Sequence, residues 1–151
     1  MNAPARTQLA EAGLRCTPAS ETLLTLFMAQ PGRYLCHHQA AEALHSEGVA
    51  IHRVTLYRLL NRLAGAGLLN EQIGEDRVSR FAWLTSPEPR CESHFECRRC
   101  HNLYQPGAPD APLIRLLEQL ATDPAWQAHQ ADQISLTLRG LCARCREDRP
   151  C

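Results

Sequence analysis

The spacing of apolar residues predicts three helices in the first part of the chain. Segment 17–33 (TPASETLLTLFMAQPGR) places apolar side chains at helical spacing and ends at a Pro-Gly pair. Thr17 is the predicted N-cap of this helix, and Glu21 lies near the capping-box position. Segment 37–49 (HHQAAEALHSEGV) predicts a shorter second helix. Segment 51–67 (IHRVTLYRLLNRLAGAG) predicts a third helix, whose buried face carries Leu56, Leu60 and Leu63.

The pattern changes after Gly67. The runs LLNEQIG and VSRFAWLT are rich in apolar and aromatic residues and flank the charged Glu75-Asp76-Arg77, which predicts a β-hairpin. Three helices followed by a hairpin indicate a winged helix-turn-helix over residues 1–85. Two prolines in SPEPR predict a hinge at 86–91, ahead of a second domain at 92–151.

The second domain mixes short strands with one helix. The expected fold class is therefore α+β, in which the winged helix-turn-helix is followed by a small α/β domain. SHFEC and NLYQ indicate short strands, and PLIRLLEQLATD predicts a helix. QISLTLRG predicts a half-buried strand, because Ile134, Leu136 and Leu138 alternate onto one face.

The charge of the whole chain does not indicate a DNA partner, but the local charge of the third predicted helix does. The chain has 151 residues, zero formal net charge and no lysine, and no apolar run approaches the length of a membrane span. No acidic residue lies between Glu47 and Glu71, and the third predicted helix is positively charged there. An Arg/Thr/Tyr face opposite the leucines suits insertion into the major groove of double-stranded DNA. The alternative is an ordinary solvated helix face. The candidate DNA contacts are Arg53, Thr55, Tyr57, Arg58 and Arg62.

Two C-x-x-C pairs are the most specific chemical signal. The pairs are Cys97-Cys100 and Cys142-Cys145, and two such pairs form the tetrahedral four-cysteine set of a structural Zn²⁺ site. Disulfides or a thioredoxin-like redox pair are the competing interpretation. A redox C-x-x-C normally stands alone at a helix start, and the absence of a signal peptide predicts a reducing, cytoplasmic location.

These motifs together resemble the ferric uptake regulator superfamily, which includes zinc-sensing members. The resemblance runs through GLRCTPASETLL, HHQAAEAL, VTLYRLLNRLAGAGLL, SHFECRRC and SLTLRGLCARC. It implies a homodimeric, metal-responsive repressor that binds a palindromic operator through an N-terminal winged helix. It also implies a C-terminal dimerisation domain with zinc held by the four cysteines, and a regulatory ion at the hinge.

The regulatory site departs from the family pattern. His94 keeps the second histidine of an H-x-H run, Glu92 replaces the first, and His38 matches a helix histidine. Ala82 or Trp83 stands where a wing-strand carboxylate is expected, and the ligand positions of zinc-sensing members fall on Asn70, Ala82, Arg90 and Gln105. A partial site from His38, Cys91, Glu92 and His94 would favour Zn²⁺, with Fe²⁺ second. The alternative is that no regulatory ion binds.

Alternative functions are compatible with some of the same motifs. The same fold could serve as a thiol or peroxide sensor, or the chain could be a zinc-stabilised interaction module. An enzyme is not expected, because two cysteine pairs leave no open coordination position on a zinc ion. The remaining residues of these types are expected to be non-ligands or incidental thiols: His37, His45, His52, His101, His129, Cys16, Cys36 and Cys151.

Overall fold

A computed structural model describes residues 3–84, 91–105, 111–125 and 134–147. The first half contains α1 (Ala3–Glu11), α2 (Pro18–Ala29), β1 (Leu35–Cys36), α3 (His37–Ser46), α4 (Arg53–Gly65), β2 (Leu69–Ile73) and β3 (Ser79–Trp83). The second half contains β4 (Cys91–Cys97), β5 (Leu103–Tyr104), α5 (Ala111–Thr122), β6 (Ile134–Gly140) and α6 (Ala143–Glu147). In these ranges no helix is both long and apolar enough to cross a bilayer.

The start of α2 is capped as predicted, but by a different partner. The Thr17 Oγ1 accepts a hydrogen bond from the Ser20 backbone N–H at 3.2 Å, and the Ser20 Oγ accepts one from the Thr17 N–H at 2.9 Å. Ser20 therefore completes the capping box. Glu21, expected in that role, instead forms an ion pair with Arg6 of α1 at 2.8 Å.

Helix α1 is an element that the pattern analysis did not predict. Its apolar residues are sparse, and only Ala5 and Leu9 are fully buried against α2. The three predicted helices correspond to α2, α3 and α4, and the predicted leucine face of α4 is confirmed. The core of the first half joins these helices to the wing through Leu23, Leu24, Phe27, Leu44, Leu56, Leu60, Leu63 and Phe81.

The wing is the predicted hairpin with one added strand. Strands β2 and β3 pair antiparallel, with Glu71 opposite Phe81. The two-residue strand β1 joins the other edge of β3, with Leu35 opposite Phe81. A strand of two residues has no periodicity that a sequence can reveal, so only tertiary contacts expose it. The α+β class with a leading winged helix is confirmed.

The second half is a three-stranded sheet in the order β5-β4-β6. Strand β6 is parallel to β4, with Glu96 opposite Arg139 and Cys97 opposite Gly140. Strand β6 lies where predicted. On its predicted apolar face Leu136 is half-buried but Leu138 is 56% exposed, so the Leu138 end of that face is uncovered in the single chain.

The two halves contact each other directly. The Gln105 N–H donates to the Gly32 carbonyl at 2.7 Å, and the Tyr34 N–H donates to the Leu103 carbonyl at 3.4 Å. Gly32 has a φ of +79°, and a Cβ there would lie 2.5 Å from the Gln105 oxygen, so this approach requires glycine. Residues 86–90 of the predicted hinge lie outside the described residues, and Cys91 begins β4.

Candidate DNA-binding helix and candidate metal centre

Helix α4 separates its two faces cleanly. All five predicted contact residues are exposed: Arg53, Thr55, Tyr57, Arg58 and Arg62. Leu56, Leu60 and Leu63 are at most 1% exposed on the opposite face. Val54, which the sequence analysis did not single out, is 63% exposed on the same open surface. The helix thus presents three arginines, a phenol and two methyl-bearing side chains to solvent.

The Tyr57 ring is held by a histidine. Its centroid lies 3.6 Å from that of His37, and the two rings are inclined by only 13°. His37 also meets the edge of the Phe81 ring at 5.4 Å. Burial lowers the pKa of His37, so the stacked ring is neutral near pH 7. The sequence analysis assigned His37 no role, because nothing in the local pattern links it to Tyr57.

The four predicted cysteines come together in the second half. One ligand atom from each lies within 4.8 Å of every other, and this is the single such group among the side chains that the structure describes. Cys97 ends β4, Cys100 lies in the following turn, Cys142 follows β6, and Cys145 lies in α6. Cys97 and Cys145 are buried. The cluster therefore joins both ends of the second half.

The sulfur geometry and electrostatics fit a zinc ion. Two sulfurs bound to one tetrahedral zinc are about 3.8 Å apart, and the Sγ atoms of Cys100 and Cys142 are separated by 3.8 Å. Burial raises the pKa of Cys97, but backbone N–H groups of Cys100, Cys142 and Arg99 outweigh it and bring the value to about 6. Burial and the neighbouring sulfurs raise the pKa of Cys145 to about 12. A cation at the centre would favour the thiolate form of all four cysteines.

Hydrogen bonds from the backbone and from Arg99 fix the two segments that carry the cysteine pairs. The Cys142 N–H donates to the Cys97 Sγ at 3.4 Å, and the His101 N–H donates to the Cys97 carbonyl at 2.9 Å. His101 adopts a φ of 55°, which closes the turn after the first pair. Arg99 donates to the Cys145 carbonyl at 3.1 Å and ties the two pairs together.

The candidate regulatory residues are described only in part. His38 is 80% exposed at its side chain and lies 3.4 Å from the Glu42 carboxylate. The His94 Nε2 is 3.2 Å from the Thr137 hydroxyl. Cys91 and Glu92 lie in β4, but their side chains are outside the described set. The four-residue site therefore stays a prediction.

Two positions where the family places ligands serve a different purpose here. The Asn70 amide donates to the Tyr34 hydroxyl at 3.0 Å. Ala82 is fully buried and packs with Tyr34 and Leu103, which joins the wing to β5. Ala82 thus contributes to packing between the two halves, and Asn70 hydrogen-bonds to Tyr34 within the first half.

An open apolar groove runs along the sheet of the second half. It has a volume of about 670 Å³ and extends from the β4 and β5 side chains to the segment around Cys142. Leu138 and Leu141, on its rim, are 56% and 51% exposed. The largest apolar side chains that line it are Phe95, Tyr104, Leu136, Leu138 and Leu141.

Comparison with known proteins places this architecture in one family. Residues 11–128 match the model of the Ferric uptake regulator family. A ferric uptake regulation protein of Bordetella parapertussis is 23% identical over 146 residues, covering 95% of this chain and 98% of the relative. The crystal structure of the Vibrio cholerae ferric uptake regulator superposes with a TM-score of 0.71 at 23% identity, covering 91% of this chain and 98% of the other.

A second solved structure shares the fold at lower similarity. A zinc uptake regulator complexed with zinc and DNA gives a TM-score of 0.57 at 22% identity, covering 97% of this chain and 93% of that one. Because the family model spans most of the chain and includes both α4 and the first cysteine pair, the chain belongs to the Ferric uptake regulator family.

Proposed function

We propose that the protein is a homodimeric, metal-responsive transcriptional repressor that binds palindromic double-stranded DNA. Membership of the Ferric uptake regulator family supports a metal-sensing transcription regulator. The observation that carries DNA binding is the exposed face of α4, where Tyr57, Arg58 and Arg62 stand opposite fully buried leucines. Arginine forks on such a helix suit phosphates and guanine edges in the major groove. The related zinc uptake regulator was solved with DNA.

The four-cysteine cluster is proposed as a structural zinc site. Cys97, Cys100, Cys142 and Cys145 would hold the ion and use all four tetrahedral positions. A bound ion there supplies a cross-link and folding free energy rather than an open coordination position. This argues against a zinc hydrolase or deaminase, and the protein is proposed to be a cytoplasmic DNA-binding protein rather than an enzyme.

The apolar groove supports a homodimer. Leu138 and Leu141 border it, and Leu116 and Leu120 are 48% and 45% exposed one turn apart on α5. Apolar side chains of this size are normally covered in a stable assembly. A two-fold dimer through this surface would present two copies of α4, which matches a palindromic site.

A second, regulatory ion is proposed at His38, Cys91, Glu92 and His94. Nitrogen, oxygen and sulfur donors together favour Zn²⁺, with Fe²⁺ as the second choice. The thiol- or peroxide-responsive alternative uses the same fold, with oxidation of the cluster releasing zinc. Zinc retention and unchanged DNA binding after mild peroxide treatment would contradict that alternative.

The proposal is tested by selecting a random-sequence duplex pool against zinc-loaded and chelated protein. We expect palindromic sequences to be enriched with the zinc-loaded form. Replacing Tyr57 and Arg58 together by alanine should weaken binding to the selected duplex at least about 30-fold, since each base or phosphate contact contributes about 1–3 kcal/mol. The matched control is Arg115→Ala, which removes an exposed arginine from α5. Failure to enrich any sequence in either metal state overturns the proposal.

A further inference from the structure

Glu96 is a buried carboxylate with a specific set of partners. It is the penultimate residue of β4 and is only 2% exposed. Its Oε1 accepts the Glu75 backbone N–H at 2.8 Å, and its Oε2 accepts the Arg139 Nε–H at 3.3 Å. Glu75 lies in the turn of the wing, and Arg139 lies in β6. Burying a charged group is costly unless it is paired, and these two partners provide the pairing. Glu96 therefore connects β4 to the wing turn and to β6.

The turn of the wing closely approaches Glu96 and is held in shape by an ion pair. Arg80 binds both oxygens of Asp76, at 2.8 Å and 2.6 Å, which folds the turn back on the hairpin. A Cβ on Gly74 would lie 2.6 Å from the Arg80 guanidinium and 3.2 Å from the Glu96 Oε1. A side chain at position 74 would therefore displace the Arg80–Asp76 pair and press on the Glu96 carboxylate. Arg139 adds an ion pair to the Glu75 carboxylate at 3.2 Å.

The same strand ends carry the cysteine cluster. Glu96 immediately precedes Cys97, and Arg139 precedes Gly140, whose carbonyl accepts the Arg98 N–H at 2.8 Å. Cys97 and Cys142 are in turn linked through the Cys142 N–H. Arg139 lies beside Glu96 because the two are register partners in the β4–β6 pair, which ends at the cysteine cluster.

We propose that Glu96 is a positioning residue that fixes the wing, and with it α4, to the zinc-bearing sheet. Without the Glu96 carboxylate, the Glu75 N–H loses its acceptor and Arg139 loses its buried partner, so the wing turn is released from the sheet. The two α4 helices of the dimer are then no longer held at one spacing. Ordering them on the two half-sites of a palindrome costs binding free energy, so DNA affinity falls. This inference rests on the proposed function.

The test compares three variants of the full-length dimer: Glu96→Ala, Glu96→Gln and Glu75→Ala. Amide hydrogen exchange in peptides that cover residues 69–84 reports on the wing, and zinc per chain and affinity for the selected duplex are measured in parallel. For Glu96→Ala we expect about tenfold faster exchange at the Glu75 amide and about tenfold weaker DNA binding, at unchanged zinc content. Glu96→Gln keeps the acceptor for Glu75 and should recover most of the protection.

Glu75→Ala is the matched control, because it removes only the half-exposed ion pair with Arg139 and keeps the backbone N–H that Glu96 accepts. It should stay within about twofold of the wild type in both measurements. Unchanged protection at Glu75 in zinc-loaded Glu96→Ala overturns the inference. So does lost protection with full DNA affinity.

If Glu96→Ala does not fold, Arg139→Gln is the alternative test. It removes the ion pair with the buried Glu96 carboxylate and leaves no cavity in the core. Wild-type exchange and wild-type DNA affinity in Arg139→Gln would then overturn the inference. The two proposals fail separately. If no duplex is ever selected, the proposed function falls, while the exchange data still establish whether Glu96 holds the wing.

Discussion

The imidazole of His37 lies flat on the phenol of Tyr57, with 3.6 Å between ring centroids. This contact joins the first residue of α3 to the exposed face of α4. It restricts the orientation of a side chain that is 45% exposed and proposed to contact DNA. A preordered ring loses less side-chain entropy when it binds.

Removing the His37 ring is therefore expected to weaken DNA binding. His37→Ala should lower affinity for the selected duplex about three- to tenfold, because an aromatic pair contributes about 0.5–1.5 kcal/mol. His37→Phe keeps a stacking ring and should bind within about twofold of the wild type. Fluorescence anisotropy measures both, with His45→Ala on the far end of α3 as control. Equal losses in His37→Phe and His37→Ala would contradict a stacking role.

Loss of one cluster sulfur is expected to release zinc. Cys100→Ser should abolish tight zinc binding and lower the melting temperature by more than about 10 °C, since structural zinc contributes directly to folding. Metal analysis and thermal unfolding measure the two effects. Cys16→Ser, at an exposed cysteine far from the cluster in sequence, is the control. A Cys100→Ser protein with wild-type zinc content and melting temperature would refute the site.

A combined His38→Ala and His94→Ala variant tests the regulatory ion. We expect the metal content to fall from about two ions per chain to about one, because the remaining ion belongs to the cysteines. Inductively coupled plasma mass spectrometry gives the count, with His45→Ala as control. One ion per chain in both wild type and variant would leave only the structural site.

A charge in the apolar groove is expected to break the dimer. Leu138→Asp places a carboxylate on the exposed leucine surface that borders the groove, where its desolvation in a dimer interface would cost several kcal/mol. Sedimentation velocity should show a shift from dimer to monomer. Ile73→Asp is the matched control, because Ile73 is 68% exposed on the wing, away from the groove. A dimeric Leu138→Asp protein would require a different interface.

The Asp76–Arg80 pair predicts an acid dependence of stability. The Arg80 guanidinium lowers the pKa of Asp76 from 3.8 to about 2. A lowered folded-state pKa stabilises the protein above the unfolded-state value, and this contribution is lost as pH falls from about 4 to about 2. Asp76→Asn should therefore cost about 1–2 kcal/mol at pH 7 and progressively less below pH 4.

Urea unfolding at stepped pH values measures this difference in the free energy of unfolding. Glu118→Gln, at an exposed carboxylate on α5, controls for general charge effects. A constant difference between Asp76→Asn and wild type from pH 7 to pH 3 would contradict a lowered pKa of Asp76 in the folded protein.

Local patterns in the chain predicted what local physics controls. The leucine spacing of α4, the N-cap of α2 and the hairpin runs each depend on neighbours within a few residues, and each is found where predicted. The paired cysteines were predicted as one site because thiolates at that spacing have few other uses. The sparse α1 and the two-residue β1 escaped prediction, because only packing stabilises them.

The partial regulatory set was the weakest of the sequence predictions for a related reason. A ligand position is recognisable only while it keeps a ligand, and Asn70 and Ala82 carry none. In the structure Ala82 packs against Tyr34 and Leu103, and the Asn70 amide donates to the Tyr34 hydroxyl. Contacts of this kind leave no motif in the sequence.

The sequence by itself determined the helices, the wing, the four-cysteine set and the resemblance to a regulator family. The tertiary structure alone decided that His37 stacks on Tyr57 and that Leu138 of β6 is exposed. It also decided that Glu96 meets Glu75 and Arg139 beside the cysteine cluster. The physical reason is distance along the chain, because a burial partner or a charge partner many residues away leaves no periodic trace in the sequence.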